Sequence, residues 1–233
     1  KYKDERLSDL NYNKAIFEIS DKDFFENVKT VCHQGIKGSY SYEVSEKYFG
    51  DKEIISVETF KDVFECVIND KCDVGILPFE NLCQGSVSEV YDLINSYDVT
   101  VTHNVDLPIS HCLAGKGEVK DVKTVISHPQ ALGQCSEFIA EKCYKKKEAI
   151  NTAVAAKEVA DSLDNTIAAI CSLHAAEKFK LNIFESNIAN IKNNKTRFIF
   201  IMKKSVKLKD ADKVSIVFTL PHESGTLSRV LND

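Results

Sequence analysis

Asp73-Val74-Gly75-Ile76-Leu77-Pro78 is a short, very apolar run that closes on a proline and passes into the polar Glu80-Asn81-Leu82-Cys83-Gln84-Gly85-Ser86. An apolar run of this length bounded by a turn signal reads as a buried strand, and Pro78, which has no N–H for a sheet ladder, reads as its end. Beyond the polar loop Val87, Val90, Tyr91 and Ile94 recur at helical spacing. Strand, polar loop and helix form the local unit, and the unit repeats outward in both directions. Upstream, residues 30–33 read as a strand, followed by a Gly35/Gly38 turn and a helix over about 41–49; Glu53–Val57 reads as a second strand before a helix carrying Phe60, Val63, Phe64 and Val67. Downstream, strand 122–127 leads through His128-Pro129-Gln130 into a helix with Leu132, Cys135, Phe138 and Ile139. Asn151-Thr152 begins a helix over 153–163, and Ile167–Cys171 and residues 197–202 are further buried strands. This alternation is the pattern of an α/β protein with largely parallel sheets. The stretch 99–107 is long enough to cross between two lobes.

The chain's 233 residues correspond to one large or two small domains at about 150 residues per domain. Hydrophobic residues at 43% and charged residues at 28% are those of an ordinary globular protein. A net charge of −5 without a basic run argues against a nucleic-acid partner. The opening Lys1-Tyr2-Lys3-Asp4-Glu5-Arg6 has no apolar export core, and the longest apolar runs, about five residues, fall far short of the roughly 20 of a membrane helix. Eight cysteines without a Cys-x-x-Cys pair read as reduced thiols, so a cytoplasmic location is expected. The six histidines show neither an i, i+4 pair nor zinc-finger spacing, and no metal is expected. Residues 1–27, with Phe17, Ile19, Phe24 and Phe25 but no complete fold around them, read as a linker or the remnant of an upstream module; Ser20 and Asp23 are spaced like a helix cap. After a lysine-rich stretch, 214–220 reads as a strand and 226–231 as the start of a helix. One strand and one short helix cannot bury a face alone, so 212–233 is expected to be the incomplete beginning of a second domain.

The loops 35–41, 80–86, 127–130 and 151–152 share one geometry: strand end, small polar residues, helix start. Ligands of open α/β sheets bind beyond the carboxyl ends of the strands, and helix N-termini favour anions. For any single loop a plain helix cap is the commoner use of such residues. Arg197 begins a strand, where its planar fork suits a carboxylate; an ordinary surface arginine fits equally well. There is no G-x-G-x-x-G, no phosphate-cradling Gly-Lys-Ser/Thr and no G-x-S-x-G, and His128 reads as a turn residue. The residues by themselves lead to an α/β anion-binding cleft without a cofactor.

The motifs resemble those of the prephenate dehydratases. Gln34-Gly35-Ile36-Lys37-Gly38-Ser39-Tyr40-Ser41 looks like the family's opening motif, and Gly75-Ile76-Leu77-Pro78-Phe79-Glu80-Asn81 with Gly85-Ser86-Val87 like its central one. Leu107-Pro108-Ile109 with His111-Cys112-Leu113, then Ser127-His128-Pro129-Gln130-Ala131-Leu132 with Gln134-Cys135, Thr152-Ala153 with Ala155-Ala156, and Asn194-Lys195-Thr196-Arg197-Phe198 follow in family order. The resemblance implies a dehydratase domain over 28–205, built as two α/β lobes like a type II periplasmic binding protein, with the middle lobe at about 106–188 and the cleft between them. It implies conversion of prephenate to phenylpyruvate, with loss of CO2 and the ring hydroxyl, in L-phenylalanine biosynthesis. Aromatisation drives that reaction, so neither metal nor organic cofactor is implied.

By the same resemblance Thr196 donates a hydrogen bond to the departing hydroxide, with Glu80 as a second catalytic group. Asn81, Ser127 and Gln134 bind substrate, Ser86 and Thr152 stand at helix starts suited to a carboxylate, Arg197 is the charge partner, and Phe198 walls the pocket. Ile150 departs from the family, some members of which carry a carboxylate and a serine hereabouts, and that position has no assigned role. Residues 212–233 are similar to the start of an ACT domain, the family's phenylalanine sensor, with Gly225-Thr226-Leu227 where the effector-binding Gly-Ala-Leu usually stands. An upstream chorismate mutase domain also occurs in the family. ACT-bearing members self-associate, so a homodimer or homotetramer is expected, and an open strand edge at 214–220 would favour pairing. Two other readings stay open here: an arogenate dehydratase, and a non-catalytic sensor of aromatic acids.

Overall fold

The computed structural model describes residues 17–203, 206–209, 211 and 220–232. In chain order β1 (Phe17–Ile19), α1 (Asp21–Asn27), β2 (Thr30–Gln34), α2 (Tyr40–Phe49), β3 (Glu53–Val57), α3 (Phe60–Ile68), β4 (Val74–Asn81), β5 (Gly85–Ser86), α4 (Ser88–Ser96) and β6 (Thr100–Pro108) build most of a first lobe. A second lobe follows with β7 (Cys112–Gly115), β8 (Thr124–Ser127), α5 (Pro129–Gln134), α6 (Ser136–Glu141), β9 (Lys145–Glu148), α7 (Thr152–Asp161), β10 (Ile167–Cys171), α8 (Leu173–Lys178) and β11 (Asn182–Ser186). The chain then returns to the first lobe as β12 (Lys195–Met202) and β13 (Val206–Leu208), and α9 (Thr226–Asn232) lies beyond.

The first sheet runs β3-β2-β4-β12-β6, with β5 paired to β4. Its central strands are apolar on both faces because helices cover both. Val31, Val74, Ile76, Phe198 and Phe200 pack with Phe24 of α1 and Phe49 of α2. On the other face Cys32, Leu77, Ile199 and Ile201 meet Val63, Phe64 and Val67 of α3, whose start is fixed by a capping box between Thr59 and Asp62. Gly75 admits α3: a Cβ there would lie 2.7 Å from Val63 and 2.9 Å from Ile201. The second sheet runs β11-β7-β10-β8-β9. Alanines 155 and 156 of α7, 168 and 169 of β10, and 175 and 176 of α8 are all buried, so helix and sheet approach without large side chains between them.

Four expectations change. The sheets are mixed: β12 is antiparallel to β4 and β6, as is β7 to β10 and β11. The strand at 74 does not stop at Pro78. It continues to Asn81, because β2 pairs it only over 74–76 and the β12 register shifts between Glu80 and Pro78; an edge position beside a bulge tolerates proline. Residues 100–108 do not cross between lobes but pair with β12 along its whole length; the crossings are 109–111 outward and 187–194 back. The helix expected through Leu132 and Ile139 is two short helices broken at Cys135.

The segment 17–27, expected as linker, packs onto the first lobe: β1 pairs in parallel with β13, Ser20 caps α1, and the Phe24 ring lies 4.2 Å from His103 and 6.4 Å from Phe49 between centroids. Residues 1–16 and most of the expected strand at 214–220 lie outside the described residues. Among the described residues no helix is long and apolar enough to cross a membrane.

Burial holds the imidazoles of His33, His103, His111 and His174 below the ordinary histidine value of 6.5. The unfolded chain therefore binds more protons than the fold just below that value, and stability falls with pH there. A melting temperature that is level above pH 7 and declines from about pH 6.5 downward is the expected result, at about 2–4 °C per kcal/mol lost. Glu46 and Asp106, whose carboxyls sit below their ordinary values of 4.5 and 3.8, add to the loss only in stronger acid. Thermal melts between pH 8 and pH 5 check this; a flat profile would show that these rings take up protons within the fold.

Candidate active site

Where the two lobes face each other they enclose a cavity of about 330 Å³. The first lobe lines it with Gln34, Tyr40, Phe60, Asn81 and Thr196, the second with His128, Gln130, Ala131, Gln134, Ile150, Asn151 and Thr152, and the crossings with Ile109, His111 and Asn194. A second cavity of about 370 Å³ shares Ile109, Gln130, Gln134 and Asn194 with it.

Strand register places the pair at the centre. Thr196 lies directly opposite Asn81 in the β12–β4 ladder, and Asn81 Nδ2 donates to Thr196 Oγ1 at 2.8 Å. Asn81 Oδ1 accepts from the backbone N–H of Cys83 at 3.0 Å, which fixes the amide's orientation. With a lone pair of Oγ1 taken by Asn81, the proton of the Thr196 hydroxyl is left for a ligand. Thr196 is only 8% exposed as a residue, so that donor works in a largely dry site.

Side chains of successive strand residues point to opposite faces, and this separates Arg197 and Glu80 from the cavity; Phe198, Ser127 and Ser86 are kept out of it by their positions. Arg197 is opposite Glu80, not Asn81, and lies outside the cavity lining. Its Nη1 lies 3.4 Å from Glu80 Oε2 and its Nε donates to Asp106 Oδ1 at 3.1 Å. Lys195 first, then Arg197, holds the Asp106 carboxyl below the usual range. Neither Arg197 nor Glu80 reaches into the cleft; they form an ion-pair network on the far face. Phe198 is 1% exposed and belongs to the hydrophobic core, not to the pocket wall. Ser127, the last residue of β8, is buried and its Oγ donates to the Ile170 carbonyl at 2.5 Å, tying two strands together; the next residue, His128, lines the cavity instead. Ser86 is exposed on β5 and lies apart from the cavity. Gly225 has a φ of +83° at the turn into α9, where Thr226 is half-buried and Leu227 exposed, and none of the three lines the cleft.

Gln134 and Thr152 both line the cavity. Thr152 is the first residue of the ten-residue α7, whose cap is Asn151 through Oδ1 and the Val154 N–H at 2.7 Å. The Gln134 Oε1 lies 2.8 Å from His111 Nε2. His111 Nδ1 lies 3.3 Å from the Tyr40 hydroxyl, which donates to the Ser110 carbonyl at 2.9 Å. Burial pushes the His111 pKa down against the opposing effect of Gln134, and pushes the Tyr40 hydroxyl well up. At neutral pH the ring is therefore uncharged, its Nε2–H donates to Gln134 Oε1, and the Gln134 amide N–H groups remain for a ligand. Tyr40, His111 and Asn194 were given no role by sequence reasoning, although all three lie within quoted motifs. His111 and Asn194 enter the cavity through the two crossings of the chain between lobes, which leave no periodic signal, and Tyr40 through the start of α2.

No Lys, Arg, Asp or Glu lines the main cavity. An anion there meets amide and hydroxyl donors and the N-terminus of α7, which carries a partial positive charge.

The prephenate dehydratase family model matches residues 31–206. The prephenate dehydratase of Methanocaldococcus jannaschii is 42% identical over 214 residues, spanning 88% of this chain and 77% of that protein. An arogenate dehydratase/prephenate dehydratase of Arabidopsis thaliana is 36% identical over 86% of this chain, which spans 52% of its length. The crystal structure of the Staphylococcus aureus prephenate dehydratase superposes with a TM-score of 0.73, at 24% identity, over 87% of this chain and 77% of that one, and so shares the two-lobed α/β fold. On the family model and on relatives this similar, the chain belongs to the prephenate dehydratase family and its 31–206 region is a prephenate dehydratase domain, a hydro-lyase.

Proposed function

We infer that this domain converts prephenate to phenylpyruvate in its interlobe cleft, and that Thr196 is the residue acting on the leaving group. The observation that carries the assignment is the 2.8 Å bond from Asn81 Nδ2 to Thr196 Oγ1 at the cavity wall. In the reaction the bond between the ring and its carboxylate breaks and its electron pair enters the ring. The ring C–O bond breaks in turn, giving phenylpyruvate, CO2 and hydroxide, and the hydroxide is neutralised to water by a proton from the buffered solvent, so that the conversion consumes one proton overall. The protein has no electrons to supply. Its task is to hold two carboxylates and to stabilise charge appearing on one oxygen, which a donor aimed at that oxygen does.

The Gln134 amide and the N-terminus of α7 at Asn151-Thr152 are suited to the carboxylates. Arg197 and Glu80 then hold β4, β12 and β6 together instead of touching substrate. The eight cysteines are free thiols, six of them buried, in keeping with a reducing cytoplasmic compartment. Residues 212–233 are read as the start of a phenylalanine-binding ACT domain, with Gly225, Thr226 and Leu227 at the effector site and a homo-oligomer as the assembled form. Phenylpyruvate formation, followed by its absorbance in alkali, tests the activity, with arogenate run beside prephenate. Turnover of prephenate is expected; folded protein that turns over neither substrate would make the cleft a sensor.

A further inference from the structure

Asn194 ends the segment that returns from the second lobe, one residue before β12. Its backbone carbonyl accepts from the Ile109 N–H at 2.9 Å, so the two crossings are joined at this point. The residue is 6% exposed and lines both cavities. Among the described residues its Oδ1 is a buried acceptor without a donor. Such an atom costs stability in the empty protein, and here its residue lines the cleft two positions before Thr196.

A carbonyl oxygen selects a donor. Resting on the reading that prephenate occupies the cleft, the choice is narrow: both carboxylates and the keto group only accept, and the ring hydroxyl is the one donor the substrate carries. We propose that Asn194 Oδ1 accepts the proton of the substrate's ring hydroxyl, turning a lone pair of that oxygen toward the Thr196 hydroxyl. Thr196 donates to that same oxygen and so cannot also accept its proton; the substrate proton needs another acceptor, and Asn194 supplies it. As hydroxide departs, its remaining proton becomes a poorer donor. The Asn194 bond therefore belongs to the bound ground state and shows in KM, whereas the Thr196 bond strengthens in the transition state and shows in kcat.

The test compares Asn194→Ala with the unsubstituted chain, with Asn194→Leu as a second variant that keeps the volume without the amide. The KM for prephenate rises about 10- to 100-fold, kcat changes by less than about threefold, and the melting temperature is unchanged or higher because an orphaned acceptor has been removed. Phenylpyruvate, which has lost the hydroxyl, binds variant and unsubstituted protein alike as a product inhibitor. Arogenate, which keeps the hydroxyl, suffers as prephenate does. An unchanged KM for prephenate, an equal loss of phenylpyruvate affinity, or a loss confined to arogenate would overturn the proposal. Failure of the unsubstituted chain to turn over prephenate is a separate result, and it removes the functional reading on which the proposal stands.

Discussion

Thr196→Ala lowers kcat for prephenate by about 10²–10³-fold, the loss expected when one preorganised donor to a developing oxyanion is removed, while KM changes little. The asymmetry follows from timing: a neutral ring hydroxyl accepts a weak bond from Thr196, and the same oxygen leaving as hydroxide accepts a much stronger one. Thr196→Ser keeps the hydroxyl and recovers most of the rate, which separates chemistry from packing. Thr196→Val keeps the shape instead, but leaves Asn81 Nδ2 without its acceptor and destabilises the fold by about 1–3 kcal/mol. Steady-state kinetics on the three variants, with a melting curve for each, checks the assignment. A Thr196→Ala protein with unimpaired kcat would remove Thr196 from the mechanism.

The fold was legible where apolar periodicity is strong. Strands β2, β3, β8, β10 and β12 and helices α2, α3 and α7 follow from the alternation of buried runs with helical spacing. Other elements gave no such signal. In β9, Lys145-Lys146-Lys147-Glu148 is exposed throughout and is held at a sheet edge by its ladder to β8 and by the Lys147–Glu158 ion pair to α7. Strand β4 was cut short at Pro78 because a bulge that excuses a proline depends on the partner strand's register. Phe24 looked like part of a linker because the ring it packs on, His103, is distant in sequence.

The site divides along the same line. Asn81, Gln134, Thr152 and Thr196, drawn from separate motifs, line one cavity. Motif order could not say which face of a strand each neighbour takes, since a motif such as Lys195-Thr196-Arg197-Phe198 sends consecutive side chains to opposite faces. Adjacency to Thr196 draws Arg197 and Phe198 toward the site; the pleat turns Arg197 to the other face, whereas Phe198, on the Thr196 face, lies further along the strand inside the hydrophobic core.

Phe198→Ala separates these two placements. A pocket wall lost to alanine would raise KM and leave stability nearly intact. A core ring lost to alanine creates a cavity that the surrounding side chains fill only in part, at about 3–5 kcal/mol. Phe198 is 1% exposed and packs in one cluster with Val31, Val44, Val74, Ile76 and Phe200, so the second outcome is expected, read as a fall of roughly 10 °C in melting temperature and an earlier denaturant midpoint. At a temperature where the variant stays folded, its KM for prephenate remains within about threefold of the unsubstituted value, because only Thr196 and Asn81 of this strand pair line the cavity. Phe198→Leu keeps most of the volume and gives a smaller loss in the same direction. A variant with an unshifted melting curve and a raised KM would put the ring back at the substrate.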